Sequence, residues 1–303
     1  MPEELEGIVI RAHGKEYIVK ANGREIPCEI RGKIKFDSKD ATPVAVGDDV
    51  TILVDPDGSG MIENVAERRT MFFRPSKRSE NVKQVIAANI DQLAVVASVK
   101  SPDLKPGLID RFLISAEVGN LKPIIIINKI DLGETDFLDD MKQAYSAIDI
   151  PIFFISAKND SGLDNLKKAL IDHRTIFAGH SGVGKSTILN NLMPGMNIRV
   201  AEISDYSNKG VHTTTSVELY ELPFGGYVVD SPGLKVLGLW EVEQEQLAWY
   251  FPEMQEYLQG CRFSGCTHLH EPDCAVKKAV KMGEIPEFRY KSYITIYNSL
   301  DTD

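Results

Sequence analysis

Lys185 and Ser186 close an eight-residue run, Gly179-His180-Ser181-Gly182-Val183-Gly184-Lys185-Ser186, that fits G-x-x-x-x-G-K-[ST]. An apolar stretch at 174–178 precedes it and a helix-like segment at 185–193 follows, the setting that gives the pattern chemical meaning. Glycines let successive backbone N–H groups turn inward around phosphate oxygens, and a helix N-terminus adds a field favouring negative charge. In this reading Lys185 reaches the β- and γ-phosphates and Ser186 Oγ ligates Mg²⁺, with Thr187 completing the nucleotide-contacting set.

Asn128-Lys129-Ile130-Asp131 follows the apolar run 123–127 and fits N-K-x-D. A carboxylate at Asp131 accepts from guanine N1–H and the 2-amino group. Adenine offers neither donor, so the carboxylate would be left desolvated and unpaired, at a cost of several kcal/mol. Lys129 would lie along the base plane, and Asn128 would tie this loop to the phosphate loop. Ser156-Ala157-Lys158 ends the run 152–155 and resembles the S-A-K element that offers a backbone N–H to guanine O6.

Asp230-Ser231-Pro232-Gly233 fits D-x-x-G. Asp230 would hold Mg²⁺ through water, and the Gly233 N–H would contact the γ-phosphate. Between this motif and the phosphate loop lies Gly210-Val211-His212-Thr213-Thr214-Thr215. A threonine here, Thr214 by preference and Thr213 otherwise, would complete the Mg²⁺ shell while the γ-phosphate is present. Many GTPases follow D-x-x-G with a glutamine that orients the attacking water; this chain has Leu234, which cannot. His212, beside the metal-binding threonine, is the candidate for that role. Lys185 and His212 are thus the expected catalytic pair, with GTP or GDP and Mg²⁺ as ligands.

These motifs run N-K-x-D, S-A-K, phosphate loop, threonine loop, D-x-x-G, whereas GTPases usually begin with the phosphate loop. The order is circularly permuted, which a compact domain with neighbouring termini tolerates. The second switch then leads, through roughly 28 residues, into a cysteine cluster.

That cluster is Cys261-x4-Cys266-x-His268-x5-Cys274. Three thiolates and one imidazole suit tetrahedral Zn²⁺ in a closed, structural site. His270 is the alternative imidazole. Cys28 stands alone in a strand-like run and reads as a small buried hydrophobe.

The elements that must carry these groups fall into three regions. Residues 4–67 hold about five short alternating runs, among them 7–10, 16–20, 25–30 and 49–54, with turn signals at Asn22-Gly23 and Asp57-Gly58; this predicts a small β-barrel. From residue 71, strands at 92–99, 123–127, 152–155, 175–178, 216–222 and 226–229 alternate with helices at 108–118, 136–147, 163–171 and 185–193. Continuous apolar strands spaced by helices predict a mostly parallel sheet covered on both faces. The last segment, 241–303, reads as mostly helical around the cysteines. The expected domains are 1–70, 71–240 and 241–303.

Composition sets the outer limits. Of 303 residues, 43% are hydrophobic and 26% charged, as in soluble globular chains. There is no basic leader and no bilayer-length apolar run, so a cytoplasmic protein with no membrane contact is expected. A net charge of −10 argues against a binder of free DNA; any RNA contact would use local basic patches. Arg68, Arg69, Arg74, Lys77 and Arg78 form one candidate patch, and Lys277, Lys278 and Lys281 another; each could equally be solvated surface.

Taken together, Asn128 to Asp131, Gly179 to Ser186, His212 to Thr215, Asp230 to Gly233 and the Cys261/Cys266/His268/Cys274 spacing resemble the bacterial circularly permuted ribosome-assembly GTPases known as RsgA, YjeQ or YloQ. The resemblance spans the whole chain. It implies a multidomain protein: an N-terminal OB-fold β-barrel, a central permuted α/β P-loop GTPase domain and a C-terminal, mostly helical zinc-binding domain. It further implies late maturation of the 30S subunit, stimulation of GTP hydrolysis by that subunit, contact with 16S rRNA, and a monomer. His212 as the water-positioning residue is also what the resemblance implies. His180 departs from the glutamine common at its position, and Gly182 stands where some potassium-activated GTPases carry asparagine, so no potassium site is inferred. Leu234, which implies slow unaided hydrolysis, leaves a second reading: a GTP-sensing RNA-binding module in which hydrolysis is incidental.

Overall fold

The computed structural model describes residues 2–32, 42–76, 79–133, 136–195, 217–230, 239 and 242–300. Its N-terminal part is a closed ring of five strands, β1 (Glu3–His13), β2 (Glu16–Ala21), β3 (Arg24–Ile30), β4 (Asp49–Val54) and β5 (Gly60–Val65). The ring runs β1-β2-β3-β5-β4 and back to β1, with β3 and β5 parallel and the other neighbours antiparallel. Alternation along the strands puts Leu5, Val9, Tyr17, Val19, Ile26, Cys28, Ile52 and Ile62 inside, so Cys28 is core, as its setting in the sequence implies. A register shift between Val9 and Arg11 lets β1 serve two partners. Its first half pairs with β4, and its last residues stay paired with β2 but run past the end of β4.

A two-stranded hairpin, β6 (Met71–Ser76) and β7 (Ser79–Ala88), follows and was not expected from the sequence. The central sheet then comprises β8 (Gln92–Ser98), β9 (Lys122–Asn128), β10 (Ile152–Phe154), β11 (Arg174–Ala178), β12 (Val217–Glu221) and β13 (Tyr227–Asp230). In space the order is β10-β9-β8-β11-β13-β12, all parallel except β12, which turns back on β13 as a hairpin. Helices α1 (Pro106–Val118), α2 (Asp136–Ser146), α3 (Leu163–Leu170) and α4 (Lys185–Leu192) cover it.

The apolar runs of β8 and β9 follow from this sandwich. Leu93, Val95, Ile125 and Ile127 join Ile109, Phe112, Met141 and Tyr145 from α1 and α2. Ala94, Val96, Ile124 and Ile126 face the other way, onto Leu163, Leu166, Leu170, Ile188 and Leu189 of α3 and α4. A strand buried on both faces has no room for polar alternation, and each large side chain so placed contributes roughly 1.5–3 kcal/mol.

Barrel and central sheet are continuous. Arg11 and Ala12 of β1 pair antiparallel with Glu218 and Val217 of β12, giving one sheet of 11 strands. Arg11 bridges Glu218 and Lys20 bridges Glu221 across this seam, and Arg11 also reaches Glu25 within the barrel. Beside it, Arg174 reaches Asp49 Oδ1 and the carbonyls of Gly47 and Asn89. Arg68, mostly covered, is a bidentate partner of the fully buried Asp48 at 2.9 Å from both nitrogens, so it belongs to the junction and not to a basic surface. Arg69 reaches Asp49; the Arg74 side chain, Lys77 and Arg78 lie outside the described residues.

The C-terminal region holds a 3-10 turn (Gln244–Tyr250) and helices α5 (Pro252–Leu258), α6 (Ala275–Met282) and α7 (Glu287–Leu300). Its core of Leu247, Phe251, Met254, Val276, Ala279, Tyr293 and Ile296 also takes in Ile114 of α1. Arg289 of α7, 3% exposed, spans Asp110 of α1 and Glu253 of α5 and stacks between Phe251 and Tyr145. Burial opposes its charge, but the Asp110 and Glu253 carboxylates more than restore it, so the guanidinium stays protonated. A cleft of about 900 Å³, lined by Asp140, Glu256, Glu284 and other residues, separates α2 from these helices and holds no motif residue.

Candidate nucleotide site and cysteine–histidine cluster

The loops after β8, β9, β10 and β11 emerge at the carboxyl edge of the parallel strands, where open α/β sheets bind ligands. Asn128 ends β9 and is 2% exposed. Its Nδ2 donates to Val183 O of the phosphate loop at 2.9 Å, and its Oδ1 accepts from Ala157 N at 3.0 Å. One amide therefore joins the three motif loops. Lys129 sits in the left-handed region, with φ +63°, and its ammonium donates to Gly182 O at 2.7 Å and to Ser101 O. Burial lowers the pKa of this amine, while Asp131 pulls it back up. Asp131 accepts from Ser156 Oγ at 2.6 Å, which aims its carboxylate. Ser156 and Ser161 exchange backbone bonds of 3.0 and 3.1 Å, closing the loop that carries Ala157 and Lys158.

Gly179 to Gly184 lead directly into α4, so Lys185 and Ser186 form its first turn and Thr187 follows. Lys185 Nζ donates to Gly179 O at 2.7 Å and His180 O at 3.0 Å, placing the ammonium inside its own loop. His180 is exposed, and its Nδ1–H donates to Ser181 O at 2.8 Å, consistent with a position where the backbone does the binding. Asp230 ends β13, the strand adjoining β11. His212, Thr213, Thr214, Gly233 and Leu234 lie outside the described residues.

Two features of the site carry no sequence motif. The loop before α1 takes part through Ser101 O. Asn191, in the last turn of α4, donates to Ala157 O at 2.6 Å and to Asp160 Oδ1 at 3.3 Å.

The second centre lies in the C-terminal region. Cys261 Sγ, Cys266 Sγ, a ring nitrogen of His268 and Cys274 Sγ all lie within 4.8 Å of one another. Cys261 Sγ is 3.5 Å from His268 Nδ1 and 3.9 Å from Cys274 Sγ, and His268 Nδ1 is 3.4 Å from Cys274 Sγ. Tetrahedral zinc with sulfur at about 2.3 Å and nitrogen at about 2.0 Å needs donor spacings of roughly 3.5–3.8 Å; Cys261, His268 and Cys274 are close to this, and Cys266 supplies the fourth donor within 4.8 Å of each, so the set is compatible with that ion. His268, not His270, is the imidazole that converges. Burial pushes the Cys266 thiol up to about 12, raises Cys274 as well, and lowers His268, leaving a neutral imidazole suited to ligation. Thiols held this high ionise only against a cation. Cys274 Sγ also caps α6, accepting from Lys277 N at 3.5 Å. Tyr290 and Tyr293 donate to the carbonyls of His268 and Thr267 and hold the loop onto α7. Lys277 is engaged with Leu269 O and Glu271 O, whereas Lys278 and Lys281 stay exposed.

Among the described residues no helix is long and apolar enough to cross a membrane. Two family models match the chain: the RsgA N-terminal domain over residues 6–62 and the RsgA GTPase over 65–240. Curated relatives include the small ribosomal subunit biogenesis GTPase RsgA of Bacteroides fragilis strain YCH46, 40% identical over 96% of each chain. The protein of that name from Thermotoga neapolitana is 39% identical, covering 97% of this chain and 96% of its own. Of solved structures, YjeQ from Thermotoga maritima superposes with a TM-score of 0.79 at 37% identity, over 98% of this chain and 99% of that one. YloQ, a circularly permuted GTPase, superposes with a TM-score of 0.75 at 32% identity, over 99% and 96%. Matched by both family models and aligned along nearly the full length of these proteins, the chain belongs to the RsgA family of GTPases.

Proposed function

We propose that this chain hydrolyses GTP, with Mg²⁺, in the late maturation of the small ribosomal subunit, and that the subunit stimulates the reaction. The observation that carries the nucleotide reading is Asn128, whose amide holds the phosphate loop through Val183 and the base-reading loop through Ala157. The relatives' printed names carry the ribosomal one. Asp131, aimed by Ser156, would accept from guanine N1–H and the 2-amino group, and the Ala157–Lys158 backbone would donate to O6. Gly179 to Ser186 would cradle the phosphates, with Lys185 on the β- and γ-oxygens. Ser186 and Thr214 would ligate Mg²⁺, Asp230 would hold it through water, Gly233 would meet the γ-phosphate, and His212 would position the attacking water.

Cys261, Cys266, His268 and Cys274 would hold one structural Zn²⁺, which fastens the loop between α5 and α6 when bound. The barrel and the zinc-bearing region would contact 16S rRNA, with exposed Lys278 and Lys281 among the available cations. Domain limits of 1–70, 71–240 and 241–303 and a cytoplasmic monomer complete the reading.

GTP turnover with and without purified small subunits tests it. Stimulation of at least tenfold is expected. Tight GTP binding with no stimulation would leave a GTP sensor, and equal use of ATP would remove the base assignment. Asp131→Asn should shift preference from GTP towards xanthosine triphosphate, because the amide supplies the donor that the 2-oxo group needs.

A further inference from the structure

Asn191 lies outside every nucleotide motif, yet it contacts one directly. It sits in the last turn of α4, the helix whose first turn is Lys185 and Ser186. Its Nδ2 donates to Ala157 O at 2.6 Å and to Asp160 Oδ1 at 3.3 Å. The Ala157 carbonyl belongs to the peptide unit that also carries the Lys158 N–H. In a planar trans peptide these two groups point in opposite directions. Whatever fixes the carbonyl therefore fixes the direction of the N–H. The preceding peptide is held separately, since Ala157 N donates to Asn128 Oδ1. Ala157 is thus gripped on both sides, from β9 by Asn128 and from α4 by Asn191.

From these contacts we propose that Asn191 is a positioning residue for guanine selection. It aims the Lys158 N–H at the 6-oxo group of the base and ties that aim to the helix that holds the phosphates. The proposal rests on the nucleotide-site reading above. Six residues of helix, about 9 Å, separate Lys185 from Asn191, so the phosphate end and the base loop are joined by one rigid segment. Both groups facing Asn191 Nδ2 are acceptors, which makes the side-chain amide and not an acid the required chemistry.

The test uses the full-length protein and three nucleotides. Guanosine and inosine triphosphates both carry the 6-oxo group; 2-aminopurine riboside triphosphate lacks it. Asn191→Ala should weaken GTP and inosine triphosphate alike, about five- to tenfold in KM or Kd, and leave the 2-aminopurine nucleotide unchanged. Turnover at saturation, kcat, should stay within twofold, because the phosphate contacts remain. Asn191→Asp should lose at least as much as alanine, since it sets a carboxylate against two acceptors, while Asn191→Gln should recover part of the loss. Wild-type preference for GTP over ATP is measured first; without it the nucleotide-site reading itself fails. With that preference intact, an Asn191→Ala variant that binds GTP within twofold of wild type overturns the proposal. So does equal weakening of all three nucleotides, which would make Asn191 a part of the scaffold only.

Discussion

Replacing Gly184 with alanine tests whether the phosphate loop and the base-reading loop are one mechanical unit. Gly184 has φ +99°, and a Cβ built there would lie 2.3 Å from Asn128 Nδ2. Holding a non-glycine residue in that region costs about 1–3 kcal/mol. The collision adds more, because Asn128 is nearly fully buried and must shift by about 1 Å to reach ordinary contact. Moving it breaks the bonds to Val183 O and Ala157 N, each worth about 1 kcal/mol net, and leaves polar atoms unsatisfied in the interior. The total is about 3–5 kcal/mol. If only about 2 kcal/mol of it falls on the nucleotide-competent arrangement, affinity drops roughly 30-fold. Gly182→Ala is the matched control. Its φ is +82°, but its Cβ would meet only Pro102 Cδ at 3.6 Å, an ordinary contact. That variant should carry backbone strain alone, about 1 kcal/mol or fivefold. Titration with a fluorescent GDP analogue, on variants whose circular dichroism matches wild type, gives both numbers. Equal losses for the two variants would refute the collision argument, as would a Gly184→Ala loss under threefold.

Three further outcomes are expected. Arg289→Ala should destabilise the C-terminal region by about 3–5 kcal/mol, because it strands the buried Asp110 and Glu253 carboxylates. Urea unfolding followed by tryptophan fluorescence reports on this end of the chain, which holds Trp240 and Trp249; a loss under 1 kcal/mol would contradict it. Metal analysis should find one zinc per chain, released by thiol modification, with Cys274→Ser binding at least tenfold more weakly and melting lower; a chelator-treated protein with unchanged melting would show that the cluster holds no structural ion. Arg11→Ala should cost no more than about 1 kcal/mol in the same unfolding assay, since Arg11 and its carboxylate partners remain partly exposed to solvent.

Much of this arrangement is legible from local sequence. The double-faced burial of β8 and β9 is written in their unbroken apolar character, and the nucleotide motifs sit at strand ends because that is where the sheet opens a crevice. The Cys/His spacing is equally local. What stayed hidden is set by partners far along the chain. Asp110 and Arg289 are 179 residues apart, and nothing near either one announces the other. Arg68 reads as a surface cation beside Arg69 until Asp48 is found beneath it. Asn191 is an ordinary polar residue of a helix until Ala157 O is placed against it. The hairpin of β6 and β7 was missed because Arg74, Pro75 and Ser76 interrupt its alternation, and pairing with a neighbour overrides weak strand propensity.

The seam between β1 and β12 also bears on how the chain is made. Arg11 and Glu218 are 207 residues apart. During synthesis the five barrel strands can close on one another early, but at the end of β1 only the edge towards β2 is paired, and the other edge has no partner until β12 leaves the ribosome. At about 5–20 residues per second that interval is roughly 10–40 seconds. Throughout it the nascent chain presents an open strand end, the kind of edge that recruits foreign strands. Arg11 and His13 sit on that end, and a charge there discourages a wrong partner while it waits for Glu218. The phosphate loop also emerges after the base-reading loop, so the growing chain first holds half of a nucleotide site, and no bound nucleotide can help assemble the domain until the last third is being translated.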